Sequence, residues 1–198
     1  MTWFSENVHL NENWIDVGAN YGYTVIALAK NIGSQGSIYA FEPVPATCGA
    51  LKETVDINNF TNVSVYCLAL ADEQDFSIKS FQTSRGMLTN QDDSSNLMIP
   101  LISLDSLFSL YKVDRKIDGI KIDVDGQELN LLFGMEQLLR KYHPKLIIEV
   151  HDSTYNAVND FLNKLGYKNS SIIYKPFYTN NSSVENSNIV YSVSQRYK

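Results

Sequence analysis

Residues 14–22 read WIDVGANYG, an apolar run that carries Asp16 and then turns through Gly18 and Gly22. Glycines after a buried strand let the backbone come close to a ligand, because no Cβ stands in the way. Such a turn commonly receives a phosphate, but the carboxylate of Asp16 would repel a pyrophosphate and attract a cation. The stretch therefore predicts a strand, a turn and a helix that together bind a positively charged ligand.

Segments with strand and helix periodicity alternate along the rest of the chain. The predicted strands are 13–17, 37–41, 63–70, 118–124 and 145–150, with an edge strand at 76–81 and two more strands near 171–174 and 188–191. The predicted helices are 24–31, 43–57, 104–111, 127–140 and 154–165. This alternation indicates right-handed crossovers and a parallel sheet. The last two strands, joined by a polar run, should pair antiparallel.

The size of the chain predicts one domain over residues 1–198. Residues 1–12 are expected to form an N-terminal extension. Residues 82–97, which include the polar run SRGMLTNQDDSSN, are expected to form a mobile loop that could close over an acceptor. No apolar run approaches the roughly 20 residues that a membrane-spanning helix needs, and we expect no membrane span.

Charge and cysteine usage narrow the class of protein. The net charge of −6 lacks the positive surface that a polyanion needs, so nucleic acid is not an expected partner. Cys48 and Cys67 lack zinc-site spacing, and we expect them to be packed free thiols in a reducing compartment. Together with an N-terminus that does not look like a secretion signal, this predicts a cytoplasmic protein.

Polar side chains fall at or just past the carboxyl ends of several predicted strands, where open α/β sheets bind ligands. Glu42 follows the second strand, in the place where an acid commonly binds both ribose hydroxyls, so the ligand should contain an adenosine. The turn lacks the middle glycine of a dinucleotide fingerprint and has Asp16 in front. This pattern favours a sulfonium nucleoside with an ammonium group over NAD.

Six motifs in order resemble the FkbM family of S-adenosylmethionine-dependent methyltransferases. They are DVGANYG, IYAFEPVP, ALAD, SLDSL, IDGIKIDVDGQE and KLIIEVH, and the resemblance runs from about Trp14 to His151. The resemblance implies a Rossmann-like class I methyltransferase fold, with a mostly parallel seven-stranded sheet, an antiparallel C-terminal strand and helices on both faces. It also implies S-adenosylmethionine as the methyl donor and transfer to a hydroxyl oxygen of a sugar, a glycan or a small natural product.

The resemblance also assigns cofactor subsites. The methionine part is expected at Asp16, Gly18 and Asn20, the ribose at Glu42, and the adenine near Ala69 and Leu70. An apolar strand end suits a purine face, and an acid-lined loop suits an ammonium and a sulfonium.

Methyl transfer from a sulfonium is an in-line displacement, so the enzyme must align the acceptor oxygen and remove its proton. The candidate bases are Asp123, Asp125, Glu128 and His151. We expect His151 to be the base and Asp123 the orienting group, with Asp125 in reserve. Where the family commonly reads DVEG, this chain reads DVDG, so the side chain of Asp125 is one methylene shorter. Glu128 is better explained as an acid in the first turn of a helix.

Four alternatives remain open from the sequence: a metal site, binding without catalysis, a dehydrogenase and a nucleic-acid methyltransferase. A divalent metal could be held by Asp123, Glu149 and His151, although strand alternation allows only one of Glu149 and Val150 to face the same side as Asp123. The chain could bind the nucleoside without catalysis, or be a dehydrogenase. A nucleic-acid methyltransferase should carry an Asn/Asp-Pro-Pro-Tyr-like motif where this chain has DVDG. The oligomeric state and the acceptor are not indicated.

Overall fold

The computed structural model describes the backbone of residues 2–84, 87–89, 96–151, 153–173 and 186–193, and the side chains of residues 4–81, 97–150 and 153–168. Its helices are α1 (Thr2–Asn7), α2 (Tyr23–Ile32), α3 (Pro45–Ile57), α4 (Leu104–Leu110), α5 (Glu128–Phe133), α6 (Glu136–Tyr142) and α7 (Tyr155–Lys164). Its strands are β1 (Asn13–Val17), β2 (Ser37–Phe41), β3 (Val63–Tyr66), β4 (Ala69–Leu70), β5 (Ser77–Ser84), β6 (Met87–Thr89), β7 (Asn96–Ile102), β8 (Gly119–Ile122), β9 (Lys145–His151), β10 (Tyr167–Ile173) and β11 (Asn186–Val193).

The central sheet has the strand order β10-β11-β9-β8-β1-β2-β3. Its five strands from β9 to β3 are parallel, as the alternation of strands and helices predicts. β11 lies antiparallel to β9, and β10 lies antiparallel to β11 at the edge. The strand order reverses beside β1, which puts the carboxyl ends of β1 and β8 where α/β folds bind their ligands. The expected α/β Rossmann-like fold with a mostly parallel central sheet is confirmed.

Alternate side chains of the parallel strands contribute to two separate hydrophobic cores, one on each face of the sheet. On one face, Trp14 and Ile38 pack with apolar residues of α2 and α3, and Phe4 of α1 joins them. On the other face, Ile15 and Ile120 pack with apolar residues of α4 to α7. The helices therefore cover both faces of the sheet, and the predicted N-terminal extension contributes α1 to the first of these cores.

A second sheet, with the order β4-β7-β5-β6, was not predicted as such. Only β5 was expected, as an edge strand. The predicted mobile loop at 82–97 is wrong in part, because residues 82–84 end β5, 87–89 form β6 and 96–97 begin β7. Residues 85–86 and 90–95 of that loop lie outside the described residues. The predicted strand 63–70 is likewise divided, with β3 in the central sheet and β4 in the second one.

The predicted helix 127–140 is two helices, α5 and α6, separated at Gly134. A Cβ on Gly134 would lie 2.1 Å from the carbonyl oxygen of Ala71, so the second sheet approaches the chain too closely there for any side chain. α6 then starts afresh, and both carboxylate oxygens of Asp105 accept hydrogen bonds from its first turn, from N–H of Gln137 and Leu138 (both 2.9 Å). Asp105 in this way links α4 to the first turn of α6.

The expectation of two free thiols is wrong, because Cys48 and Cys67 form a disulfide. Cys48 is buried in α3, and Cys67 lies between β3 and β4, where the chain leaves one sheet for the other. The spacing of 19 residues showed no motif, since the pairing depends on how α3 packs back on β3. Disulfides are typical of oxidising compartments, so the cysteines no longer support a cytoplasmic location.

Removing this disulfide should destabilise the fold by about 3 kcal/mol, because it closes a short loop in the unfolded chain. We expect the Cys48→Ala/Cys67→Ala double variant to unfold at a lower urea concentration than the unchanged protein. A reductant should lower the stability of the unchanged protein and leave that of the double variant as it is. Labelling of both thiols by iodoacetamide after unfolding without reductant would show that the cysteines are free.

Candidate functional site

The glycine turn after β1 has the backbone shape that the sequence predicts. Gly18, Asn20 and Gly22 all have positive φ angles, of 73°, 50° and 92°. The N–H groups of Gly18 and Ala19 both donate to the carbonyl oxygen of Phe41 at 3.0 Å, which holds the turn on the end of β2. A Cβ on Gly18 would lie 2.0 Å from the carbonyl oxygen of Asp123. Only glycine fits here, and the turn is packed tightly between the ends of β2 and β8.

Glu42 lies directly after β2 and is 5% exposed. Its Oε2 accepts a hydrogen bond from N–H of Asn20 and its Oε1 accepts one from N–H of Val44, both at 3.0 Å. Burial raises the pKa of Glu42, while the two backbone hydrogen bonds act in the opposite direction. Each carboxylate oxygen has a second lone pair. Glu42 thus fixes the glycine turn and can still accept hydrogen bonds from a diol.

Lys121 connects the ends of β1 and β8. Its Nζ lies 3.3 Å from Oδ1 of Asp16, 3.3 Å from Oδ2 of Asp123 and 3.0 Å from the carbonyl oxygen of Gly18. Burial alone would lower the pKa of Lys121, but the two carboxylates raise it above its ordinary value, so the side chain is a cation. The sequence analysis missed this residue, although a lysine between Ile120 and Ile122 in a buried strand is itself a sign that an acidic partner lies nearby.

Asp16 is completely buried, whereas the side chain of Asp123 is 32% exposed. Among the described residues, neither carboxylate oxygen of Asp16 receives a hydrogen bond of good geometry, and burial raises its pKa despite the ammonium of Lys121. Lys121 supplies a positive charge beside Asp16 inside the chain, so this carboxylate already has a cationic partner, and its place at the methionine part stays a prediction. Of the two acids, Asp123 is the one that a ligand can reach.

The residues expected at the adenine lie beyond the end of β3. N–H of Glu42 donates to the carbonyl oxygen of Tyr66, the last residue of β3, at 3.1 Å. Ala69 and Leu70 follow as β4, and Leu70 packs in the same core as Val17 and Phe41. Ala69 instead packs against the small core of the second sheet, with Ile99 and Leu101. The placement of Ala69 and Leu70 at the adenine stays a prediction.

The loop after β8 contains the other acidic candidates. Asp125 and Gly126 have positive φ angles, of 42° and 84°, so the chain turns sharply there. Glu128, in the first turn of α5, is 1% exposed; its Oε1 accepts from N–H of Gly126 and its Oε2 from the hydroxyl of Thr154, both at 2.7 Å. Glu128 is too enclosed to act as a base, and it instead ties the loop after β8 to the start of α7.

Replacing Glu128 with alanine should destabilise the fold by about 3 kcal/mol or more, because it removes two hydrogen bonds to a buried carboxylate. The matched control is Glu136→Ala, whose carboxylate pairs with Arg140 on the surface of α6 and should cost about 0.5 kcal/mol or less. Urea unfolding of both variants measures the difference. Equal stability of the two variants would show that the link through Glu128 contributes nothing.

His151 is the last residue of β9, and β9 lies beside β8 in the sheet. Its side chain is outside the described residues, so its role as a base stays a prediction. Strand alternation places Glu149 on the same face of the sheet as Lys121 and Asp123, because Ile122 and Ile148 are register partners in the opposite core. Among the described side chains no group of three or more His, Cys, Asp or Glu residues is placed to hold a metal ion.

The arrangement fits an adenosyl ligand with a zwitterionic tail. A buried carboxylate whose oxygens keep free lone pairs suits a ribose diol. The carbonyl oxygen of Gly18 could accept a hydrogen bond from an ammonium group, and Asp123 from a hydroxyl group. In the part of the chain that the structure describes, no helix is long and apolar enough to cross a membrane.

Comparison with curated proteins gives two relatives of low identity. The chain is 28% identical over 136 residues to the hexuronic acid methyltransferase AglP of Haloferax volcanii, covering 69% of this chain and 54% of that protein. It is 20% identical over 161 residues to Methyltransferase 1 of Beauveria bassiana, covering 70% of this chain and 64% of that protein. The chain therefore spans less than two thirds of the length of these relatives.

Solved structures show the same fold. A methyltransferase FkbM from Methylobacillus flagellatus has a TM-score of 0.61 at 19% identity, covering 91% of this chain and 43% of that one. Fibrillarin from Aeropyrum pernix, solved with natively bound S-adenosyl-L-methionine, has a TM-score of 0.61 at 14% identity, covering 94% and 68%. The model of the methyltransferase FkbM domain matches residues 16–168, which is most of the chain. The chain therefore belongs to the FkbM family of methyltransferases.

Proposed function

We propose that this chain binds S-adenosylmethionine at the carboxyl ends of β1 and β2 and transfers its methyl group to a hydroxyl oxygen of a sugar, a glycan or a small natural product. The observation that carries the proposal is the geometry of Glu42. Its carboxylate is buried, each oxygen is held by a hydrogen bond from a backbone N–H group, and each oxygen can accept a further hydrogen bond. The name of the relative AglP, a hexuronic acid methyltransferase, supports a sugar as the acceptor.

When bound, S-adenosylmethionine would supply an electrophilic methyl group on a sulfonium; the acceptor oxygen would attack the methyl carbon, and S-adenosylhomocysteine would leave. In this mechanism Glu42 holds the ribose, Ala69 and Leu70 cover the adenine, and the turn of Gly18 and Asn20 holds the methionine part. The O–C bond forms as the S–C bond breaks, and the hydroxyl proton passes to a base of the chain. We assign that base to His151 and the orientation of the acceptor to Asp123, with Asp125 as the reserve candidate.

A divalent metal is not needed for this chemistry if a base removes the proton. The ammonium of Lys121 lies 3.3 Å from Asp123, so a metal ion at Asp123 would have to compete with a cation that is already there. The proposal therefore assigns no step to Asp123, Glu149 and His151 as metal ligands. Addition of a chelator during the transfer assay tests this assignment.

The net charge of the chain, −6, argues against a nucleic-acid acceptor. Binding without catalysis remains the competing proposal, since the cofactor half of the site would be the same. The two proposals differ only in what happens after the cofactor binds.

Calorimetry with S-adenosylhomocysteine, with NAD as the comparison ligand, tests the cofactor. A screen with methyl-labelled S-adenosylmethionine over glycans, hexuronic acids and small phenols then tests the transfer. We expect binding of S-adenosylhomocysteine, no binding of NAD, and a labelled sugar product. Binding with no transfer to any acceptor would favour the non-catalytic proposal, and preference for NAD would overturn the cofactor assignment.

A further inference from the structure

Lys121 is the one described lysine that lies between two carboxylates in the central sheet at the ligand edge. Its side chain is 11% exposed, and its three N–H donors have three acceptors within reach: Asp16, Asp123 and the carbonyl oxygen of Gly18. Two of these acceptors, Gly18 and Asp123, belong to the expected methionine subsite and the acceptor side. Lys121 is therefore in contact with both halves of the proposed site, and its bond to Gly18 joins residues 103 apart in the sequence.

Burial of this cluster is difficult to explain as stabilisation alone. Removing charges from water is costly, and a buried ion pair often stabilises a fold no more than apolar side chains of the same volume would. β8 is otherwise apolar at its buried positions, with Ile120 and Ile122 completely buried. A lysine in this strand, paired with one acid of β1 and one just after β8, thus indicates a role that apolar residues could not fill.

The acceptors of Lys121 can also be acceptors for a ligand. A carbonyl oxygen has two lone pairs and a carboxylate has about four acceptor positions. Gly18 can therefore accept from Lys121 and from an ammonium group at the same time, and Asp123 can accept from Lys121 and from an acceptor hydroxyl. The ammonium of Lys121 also separates Asp16 from Asp123, whose like charges would otherwise repel each other. Without it, the more exposed Asp123 would be expected to turn away towards solvent.

We propose that Lys121 is a positioning residue of the methionine subsite: it holds the carbonyl of Gly18 in the arrangement that receives the amino-acid end of S-adenosylmethionine, and it keeps the carboxylate of Asp123 beside that subsite, on the side of the acceptor. This inference rests on the proposed function. Asp16, fully buried, acts through Lys121 and does not touch the ligand. Lys121 itself takes no part in the transfer of the methyl group.

The test compares two ligands that differ only at the amino-acid end. S-adenosylhomocysteine has that end, and methylthioadenosine lacks it. In Lys121→Met, affinity for S-adenosylhomocysteine should fall by about tenfold to a hundredfold, corresponding to a charged hydrogen bond, while affinity for methylthioadenosine should change by less than about threefold. Lys121→Arg, which keeps the charge, should recover part of the lost affinity. A general disturbance of the fold would weaken both ligands alike.

Two further variants keep the test decisive. Lys145→Met is the matched control, because Nζ of Lys145 also bonds a carboxylate (Glu12, 2.6 Å) and a backbone carbonyl (Asn7, 2.7 Å), but at the opposite edge of the sheet. It should keep the affinities of the unchanged protein for both ligands. If Lys121→Met does not fold, Asp16→Asn/Lys121→Met removes both buried charges and carries the same expectation.

The outcomes separate this inference from the proposed function. If the unchanged protein prefers S-adenosylhomocysteine to methylthioadenosine and the folded Lys121 variants keep that preference, the inference is overturned and the proposed function stands. If the unchanged protein binds neither ligand, both are overturned. Loss of the preference in Lys121→Met, with partial recovery in Lys121→Arg and no loss in Lys145→Met, supports the inference.

Discussion

Replacing Glu42 with alanine is expected to weaken binding of S-adenosylhomocysteine by about 1.5–3 kcal/mol for each ribose hydrogen bond to the carboxylate that is lost. The loss has a second source, because Glu42 also holds N–H of Asn20 in the glycine turn. Glu42→Gln should not rescue binding, since both oxygens accept backbone N–H groups and an amide NH₂ would face one of these donors. Calorimetry of both variants measures the affinities.

A 2′-deoxyribose analogue of S-adenosylhomocysteine separates the two sources of the loss. The unchanged protein should bind this analogue more weakly than S-adenosylhomocysteine, whereas Glu42→Ala should bind both equally. Glu53→Ala, an exposed acid on the neighbouring helix α3, is the control and should bind like the unchanged protein. Full affinity in Glu42→Ala would mean that the ribose lies elsewhere.

Acid pH should affect the same contact. Burial raises the pKa of Glu42, so this carboxylate takes up a proton at a higher pH than an exposed glutamate would. An acid whose pKa is higher in the folded than in the unfolded protein stabilises the fold most when it is protonated. Binding has the opposite pH dependence, because a protonated carboxyl group accepts fewer hydrogen bonds from the ribose. Affinity for S-adenosylhomocysteine should therefore fall as the pH is lowered, and Glu42→Ala should lack this fall.

The parallel strands could be predicted because each is a short apolar run followed by a polar or glycine turn. The second sheet could not be, because β7 reads NLMIPLI, with no alternation and with a proline, and it follows a polar run that is typical of a loop. β7 forms a strand because it pairs with β5 and β4, and this pairing depends on the tertiary structure. The break at Gly134 has the same origin, since it depends on the approach of Ala71.

The site shows the same division between local and distant contacts. Gly18 and Glu42 could be predicted because a turn and a strand end are determined by residues that are neighbours in the sequence. Lys121 and the disulfide partner of Cys48 could not, because their partners come from distant strands and no spacing rule relates them. Asp16 is an example: the sequence suggests a cationic ligand as its partner, because it does not show that Lys121 lies beside it.

Replacement of His151 by alanine or glutamine should lower kcat about a hundredfold or more with little change in cofactor affinity, because general-base catalysis contributes about 10²–10⁴-fold. An unperturbed imidazole changes its protonation near neutral pH and can take the proton of a hydroxyl group, whereas a carboxylate would need burial or a metal to do so. The measurement is the rate of methyl transfer to an acceptor found in the screen, with binding of S-adenosylhomocysteine followed in parallel. Added imidazole should restore part of the rate in His151→Ala, which a purely structural histidine would not allow.

The matched control is His143→Asn, at the exposed left-handed cap of α6 near the start of β9, which should turn over like the unchanged protein. Asparagine is chosen because it tolerates the positive φ of 47° at this position. Nearly full turnover in both His151 variants would move the base to Asp123 or Asp125, the two carboxylates on the same edge. Turnover that requires Mg²⁺ and is abolished by a chelator would instead assign His151 to a metal site with Asp123 and Glu149, and the ion pair between Lys121 and Asp123 would then have to open when the metal binds.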